Sequence, residues 1–321
     1  MKVGIPRSLF YFYYFPLWKT FFEGLGAEVV TSSWTNRQTV EAGLLSAVDE
    51  ACFPIKVCFG HVQELCRKEL DYIFIPRLVS IEARSYICPK FMGLPDMVRA
   101  SLPSLPEIID ITVDLSRNGK TLEKDLLKIG RRLGRDSSAA RQAYGDGLAE
   151  WRRCRQWCRQ GYSMAEAIRI WDGEELPPPS TQGLNIGVLG HGYSLYDQMI
   201  SMDLINRLRK FGCQVQVVEN LDQASVEAKA AEIPKRVFWT LGRKAVGGAL
   251  LLDNQPDVDG IVYLACFGCG PDSMVGEIIS RKVRHKPFMM LTIDEHTAEA
   301  GLVTRLEAFC DMLHRKKAVN L

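Results

Sequence analysis

Residues 263–272 read Tyr263-Leu264-Ala265-Cys266-Phe267-Gly268-Cys269-Gly270-Pro271-Asp272, and what flanks them sets the fold class. Ahead of them, Asp259-Gly260-Ile261-Val262-Tyr263-Leu264 is an apolar, β-branched run of the buried-strand type. Behind them, Met274-Val275-Gly276-Glu277-Ile278-Ile279 reads as a helix with Pro271 near its start. The two cysteines therefore sit on a short Gly-rich turn from strand to helix, the edge at which open parallel sheets bind ligands. A helix N-terminus adds partial positive charge and free N–H groups, which favour thiolates and anionic groups.

The same alternation extends in both directions. Lys2–Pro6, Ala27–Thr31, Asp71–Pro76 and 108–113 read as strands, with helices at Leu17–Leu25, Thr39–Val48, Ile55–Leu70 and from about Leu94. Residues 115–179 change to a charged, Ala-rich composition with helical periodicity in Lys120–Arg132 and Ser138–Ile170, ending in Pro177-Pro178-Pro179. Strands resume at Leu184–Leu189, Gln214–Val218 and Phe288–Leu291, with helices at Met199–Lys210 and Thr297–Leu313. The fold class is α/β: two parallel-sheet, flavodoxin- or Rossmann-like domains at 1–114 and 181–321, joined by a helical insertion at 115–180.

Composition narrows the chemistry. A net charge of +2 gives no reason to expect nucleic acid or a membrane surface, and no apolar run approaches the ~20 residues of a bilayer span. Lys2 leads into a strand rather than a signal-peptide pattern, so a cytoplasmic location is expected. Ten cysteines are many for a compartment that keeps thiols reduced, which points to metal or redox chemistry. Four of them, Cys52, Cys88, Cys266 and Cys269, fall in loops ahead of helices. Thiolates select zinc, copper(I) or iron–sulfur clusters. Spacing leaves cluster, zinc, dithiol redox and inert burial all open. Cys58, Cys66, Cys154, Cys158, Cys213 and Cys310 read as small buried hydrophobes.

Two polar turns stand on the same strand-to-helix edge. In Gly190-His191-Gly192-Tyr193-Ser194-Leu195-Tyr196-Asp197, His191 is a candidate acid/base group or hydrogen-bond donor, against a reading in which Ser194 simply caps a helix. Asp294-Glu295-His296-Thr297 offers a similar choice. Neither a Walker sequence nor a Gly-x-Gly-x-x-Gly after the first strand is present, so ATP and NAD sites are not indicated. The Tyr/Phe cluster at residues 10–15 reads either as a packed lid or as an exposed patch through which the chain forms a homo-oligomer.

Several stretches together resemble one family: Gly4-Ile5-Pro6-Arg7, Asp49-Glu50-Ala51-Cys52-Phe53-Pro54-Ile55-Lys56, Pro76-Arg77-Leu78-Val79-Ser80-Ile81-Glu82, Ile87-Cys88-Pro89-Lys90, the His191 turn, Phe267-Gly268-Cys269-Gly270-Pro271-Asp272 and Thr292-Ile293-Asp294-Glu295-His296-Thr297. These resemble the acyl-CoA dehydratase activase-related proteins, also labelled CoA-enzyme activase. That group is distantly related to the catalytic subunits of 2-hydroxyacyl-CoA dehydratases, benzoyl-CoA reductases and double-cubane cluster proteins. The resemblance implies an iron–sulfur cluster, [4Fe-4S] or double-cubane, held between the two α/β domains by Cys52, Cys88 and one or both of Cys266 and Cys269. It further implies low-potential electrons from a separate ATP-hydrolysing activase, a place in anaerobic metabolism, and subunits that pair. In the dehydratases one iron stays open to a substrate oxygen, so ligation by all four cysteines would argue against that chemistry. His191, Tyr193 and Lys90 are then the groups expected to supply a proton or steer a bound group. A non-catalytic cluster-holding scaffold and a zinc-binding structural protein are the alternatives.

Overall fold

A computed structural model describes residues 1–116 and 119–319. The protein is a two-unit α/β fold on parallel sheets, as the strand–helix alternation predicts. One compact unit comprises Met1–Cys154 with Phe238–Thr240, the other Arg155–Val237 with Leu241–Leu321. Among the described residues no helix is long and apolar enough to cross a membrane.

The first unit runs β1 (Lys2–Ile5), α1 (Tyr11–Gly24), β2 (Glu28–Thr31), α2 (Arg37–Ser46), α3 (Phe53–Cys66), β3 (Tyr72–Phe74), β4 (Arg77–Ser80), α4 (Pro89–Ser101), β5 (Glu107–Ile109), β6 (Thr112–Asp114), α5 (Lys120–Arg132) and α6 (Ser137–Cys158), the division falling within α6. Its sheet has the order β2-β1-β3-β5, all parallel. β4 and β6 continue the β3–β5 pair after a break at Pro76, which has no N–H to give the ladder. Ile75 and Arg77 on either side still donate to Ile109 and Ile111 at 3.0 and 2.8 Å.

The aromatic run corrects one expectation. Phe10, Tyr11, Phe12 and Phe15 are buried, so they form no exposed patch and lend no support to a homo-oligomer. Phe10 meets Phe91 of α4 edge-on at 4.9 Å, and α1 spends its rings on the core, where they bury the most apolar area. With β1 central, the sheet changes direction between β1 and β3. The crevice at that point is apolar, about 50 Å³, and lined by Ile5, Phe10, Trp18, Phe74 and Phe91 among others. Next to it α2 and α3 cross in backbone contact: a Cβ on Gly43 would lie 2.0 Å from the Lys56 carbonyl oxygen, and one on Gly60 1.8 Å from that of Thr39.

The second unit holds α7 (Met164–Trp171), β7 (Leu184–Gly190), α8 (Gly192–Leu195), α9 (Leu204–Lys210), β8 (Cys213–Val217), α10 (Gln223–Ala230), α11 (Thr240–Asp253) apart from its first residue, β9 (Gly260–Cys266), α12 (Gly270–Lys282), β10 (Phe288–Ile293) and α13 (Glu299–Val319). The helical stretch expected over Ser138–Ile170 is broken at Gly161, in the left-handed region at φ 95°, and restarts at Ser163 with a capping box to Glu166. The helix expected from Met199 begins only at Leu204, because Met202 and Asp203 both adopt positive φ. The sheet order is β10-β9-β7-β8, all parallel, with β9 buried throughout and β7 along nearly its whole length. Its switch point falls between β7 and β9, so the exits of those two strands define the ligand edge.

Candidate metal centre

In the second unit those two exits converge on Asp272. β7 ends at Gly190, whose φ of 153° lets the backbone pass the Leu264 carbonyl, where a Cβ would stand 2.7 Å away. His191 follows as the N-cap of α8. β9 ends at Cys266, a turn through Gly268 at φ 74° follows, and Cys269 is the N-cap of α12. Asp272, in the first turn of α12, is 1% exposed.

Three groups meet that carboxylate. Tyr263 donates its hydroxyl to Oδ1 at 2.8 Å, the Cys266 N–H donates to Oδ2 at 3.1 Å, and His191 Nδ1 lies 3.2 Å from Oδ1. Tyr193 Oη is 2.9 Å from the same Nδ1. Burial alone would raise the Asp272 carboxyl, but His191, the Cys266 N–H and the Tyr263 hydroxyl outweigh it and hold it below the usual carboxylate range. A carboxylate only accepts, so the His191 contact calls for the proton on Nδ1. Burial and the facing Asp272 charge push Tyr263 well above the usual phenol value, keeping it a donor. Ligand atoms of His191, Cys269 and Asp272 lie within 4.8 Å of one another, and all three residues are buried.

The first unit carries the other two turn cysteines at the starts of helices. Cys52 is the N-cap of α3, with Pro54 at the second helical position, and Cys88 is the N-cap of α4, with Pro89 at the first. Both are half-buried, and neither side chain makes a capping hydrogen bond. Lys90 Nζ donates to the Glu50 carbonyl at 2.7 Å, tying the start of α4 to the loop ahead of Cys52. Cys269 repeats the device with Pro271 at the second position of α12 and no side-chain cap bond.

Some expectations at the polar turns change. Ser194 is not an N-cap; it lies inside α8 with its hydroxyl buried and unpartnered. Thr297 does not cap the last helix, which begins at Glu299. Its hydroxyl and the His296 N–H close a turn on the Asp294 carboxylate, and His296 is exposed. Asp272 and Tyr263 received no role from sequence. Their signals were an acid three residues after Cys269 and a hydroxyl-bearing ring in an otherwise aliphatic strand.

The family model of the CoA enzyme activase uncharacterised domain matches residues 2–221. The chain belongs to this family. Membership gives this CoA enzyme activase family member a role in the acyl-CoA dehydratase system. The matched segment includes Cys52, Cys88, Lys90, His191 and Tyr193 and ends before Cys266, Cys269 and Asp272. A search of curated proteins finds no match.

Proposed function

We propose that the chain is an iron–sulfur protein of the acyl-CoA dehydratase system, with Cys52, Cys88, Cys269 and Cys266 as its thiolate ligands. One observation carries the reading: three cysteines stand at helix N-caps, each with a proline one or two residues on, and none caps its helix through its sulfur. Cysteine is not among the residues that N-caps prefer. Positive helix ends lower the cost of a thiolate, and thiolates are the donors that clusters select. The bound group would supply one-electron chemistry. In this reading an ATP-hydrolysing activase delivers low-potential electrons, and a small substrate receives them.

The chain's own residues have defined tasks. Asp272 fixes the Cys266 amide and the His191 ring; Tyr193 and Tyr263 complete that fixed hydrogen-bond frame around Cys269. Outer groups of this kind orient ligands and tune a metal's potential. Lys90 holds the loop ahead of Cys52 rather than facing outward as a free acid. A second reading, a mononuclear zinc site, is favoured by the His191–Cys269–Asp272 grouping alone.

Anaerobic purification with iron, sulfide and zinc counts tests both. The cluster reading expects iron and acid-labile sulfide in equal amounts, falling sharply in Cys52→Ala and Cys88→Ala. Stoichiometric zinc without sulfide, unchanged in those two variants, supports the second reading and overturns the first. Reductive turnover with activase and ATP then separates an enzyme from a non-catalytic scaffold.

A further inference from the structure

Cys213 and Cys310 lie 97 residues apart in sequence, yet their sulfurs are 3.7 Å apart and both residues are buried. Cys213 is the first residue of β8; Cys310 sits on the buried face of α13 with Leu302, Leu306, Phe309 and Leu313. That face lies against the start of β9, since a Cβ on Gly260 would meet Leu313 and Phe309 at 2.9 and 3.1 Å. The pair is remote from the cysteine turn. In register, Cys213 faces Leu184 at the start of β7, whereas Cys266 lies two residues past the Gly190–Leu264 pair at its end. That separation is about eight residues of strand, roughly 26 Å at ~3.3 Å per residue. No metal held at the turn reaches these sulfurs.

We propose that Cys213 and Cys310 form a second redox site, a dithiol that a low-molecular-weight disulfide converts reversibly into an intramolecular disulfide. The sulfurs need only close from contact to the ~2.05 Å of a bond. Either sulfur can be the donor in the contact between the two thiols, so either can start the exchange, for instance Cys310 as the thiolate. It displaces one thiolate from the reagent disulfide and forms a mixed disulfide. Cys213 then attacks the Cys310 sulfur and expels the second thiol. Two protein thiols and one reagent disulfide become one protein disulfide and two reagent thiols, which carry both hydrogens. The pair is buried, so entry of the reagent follows local opening of α13. The product ties the last helix to an edge strand of the sheet and gives the chain a two-electron couple that does not depend on the cluster reading.

The test uses the full chain, reduced anaerobically and then equilibrated with graded ratios of reduced to oxidised glutathione. It is alkylated under denaturing conditions and mapped by peptide mass. The expected result is a Cys213–Cys310 cross-linked peptide, short by two hydrogens, appearing as both alkylated peptides disappear together. Cys58, buried beside Ser8, stays alkylatable as the internal reference. The oxidised chain gains an upward shift in Tm that reductant removes, and Cys310→Ser leaves Cys213 alkylated at every ratio. If Cys213 and Cys310 both remain alkylated at the most oxidising ratio, or end only as mixed disulfides with glutathione, the proposal is wrong. The wild-type map decides the matter even if the variant fails to fold.

Discussion

Acid should loosen the first unit through His61, by an amount that follows from its surroundings. The imidazole lies between Ser32 Oγ at Nδ1 and Thr35 Oγ1 at Nε2, both 2.9 Å, and is fully buried. Burial, helped by the Arg7 guanidinium and opposed by Glu64, lowers its pKa from 6.5 to about 4. The unfolded chain therefore takes up the proton first. Stability that is complete above pH 6.5 is lost progressively as pH falls, and the loss levels off below pH 4. At 1.36 kcal/mol per pH unit the full loss is about 3 kcal/mol. His61→Gln keeps a polar group at the site but does not titrate. Its stability has a different baseline and lacks this slope. Urea unfolding from pH 7.5 to 4, read by hydrogen exchange of α3 amides, isolates the first unit. Other carboxylates titrate in both proteins, so the wild-type minus variant difference carries the result. If the two curves stay parallel across pH 6.5 to 4, His61 is not held neutral and the reasoning fails. The consequence reaches the site, because α3 carries Cys52 at its N-cap and His61 about two and a half turns further on.

The crossing of α2 and α3 is equally exposed to test. Gly60→Ala forces a methyl to 1.8 Å from the Thr39 carbonyl oxygen and should cost about 3 kcal/mol or more, with loss of bound metal, measured by urea denaturation and iron content. Between the turn cysteines, Cys269→Ser should lower metal content more than Cys266→Ser. The Cys269 sulfur belongs to the His191–Asp272 group, whereas Cys266 reaches Asp272 through its amide and its sulfur lies 3.5 Å from the Phe267 carbonyl. Equal losses in the two variants would remove that distinction.

Local chemistry was legible in the sequence wherever one period or one strong residue decided it. The β9 run, the Gly-rich turn after it and the helix at Lys120–Arg132 stand where pattern reading puts them. What the sequence hid has physical causes. A run of six aromatic residues has no polar alternation, so its buried face could not be told from an exposed one until α4 supplied Phe91. Met202 and Asp203 adopt left-handed backbone without glycine, which no residue pattern announces. The partner of His191 lies 81 residues downstream, and a single sequence cannot pair them; only parallel β7 and β9 bring Asp272 within 3.2 Å.

The cysteine N-caps are different, because there the sequence departs from what folding alone prefers. Serine or aspartate at an N-cap contributes about 1 kcal/mol by accepting a backbone N–H, and a cysteine that makes no such bond forgoes it. Cys88 shows this most cleanly: backbone at φ −53° and ψ 136°, proline next, no side-chain cap bond. For packing, serine would serve better there. The metal-free Cys88→Ser chain should therefore be as stable as the metal-free parent or up to ~1 kcal/mol more so, while its iron content falls. Chemical denaturation after chelation, beside metal analysis before it, reads the two effects separately. A chelated variant less stable than its parent would mean that the Cys88 sulfur is there to fill space, and that the repeated cysteine–proline helix start has a folding role.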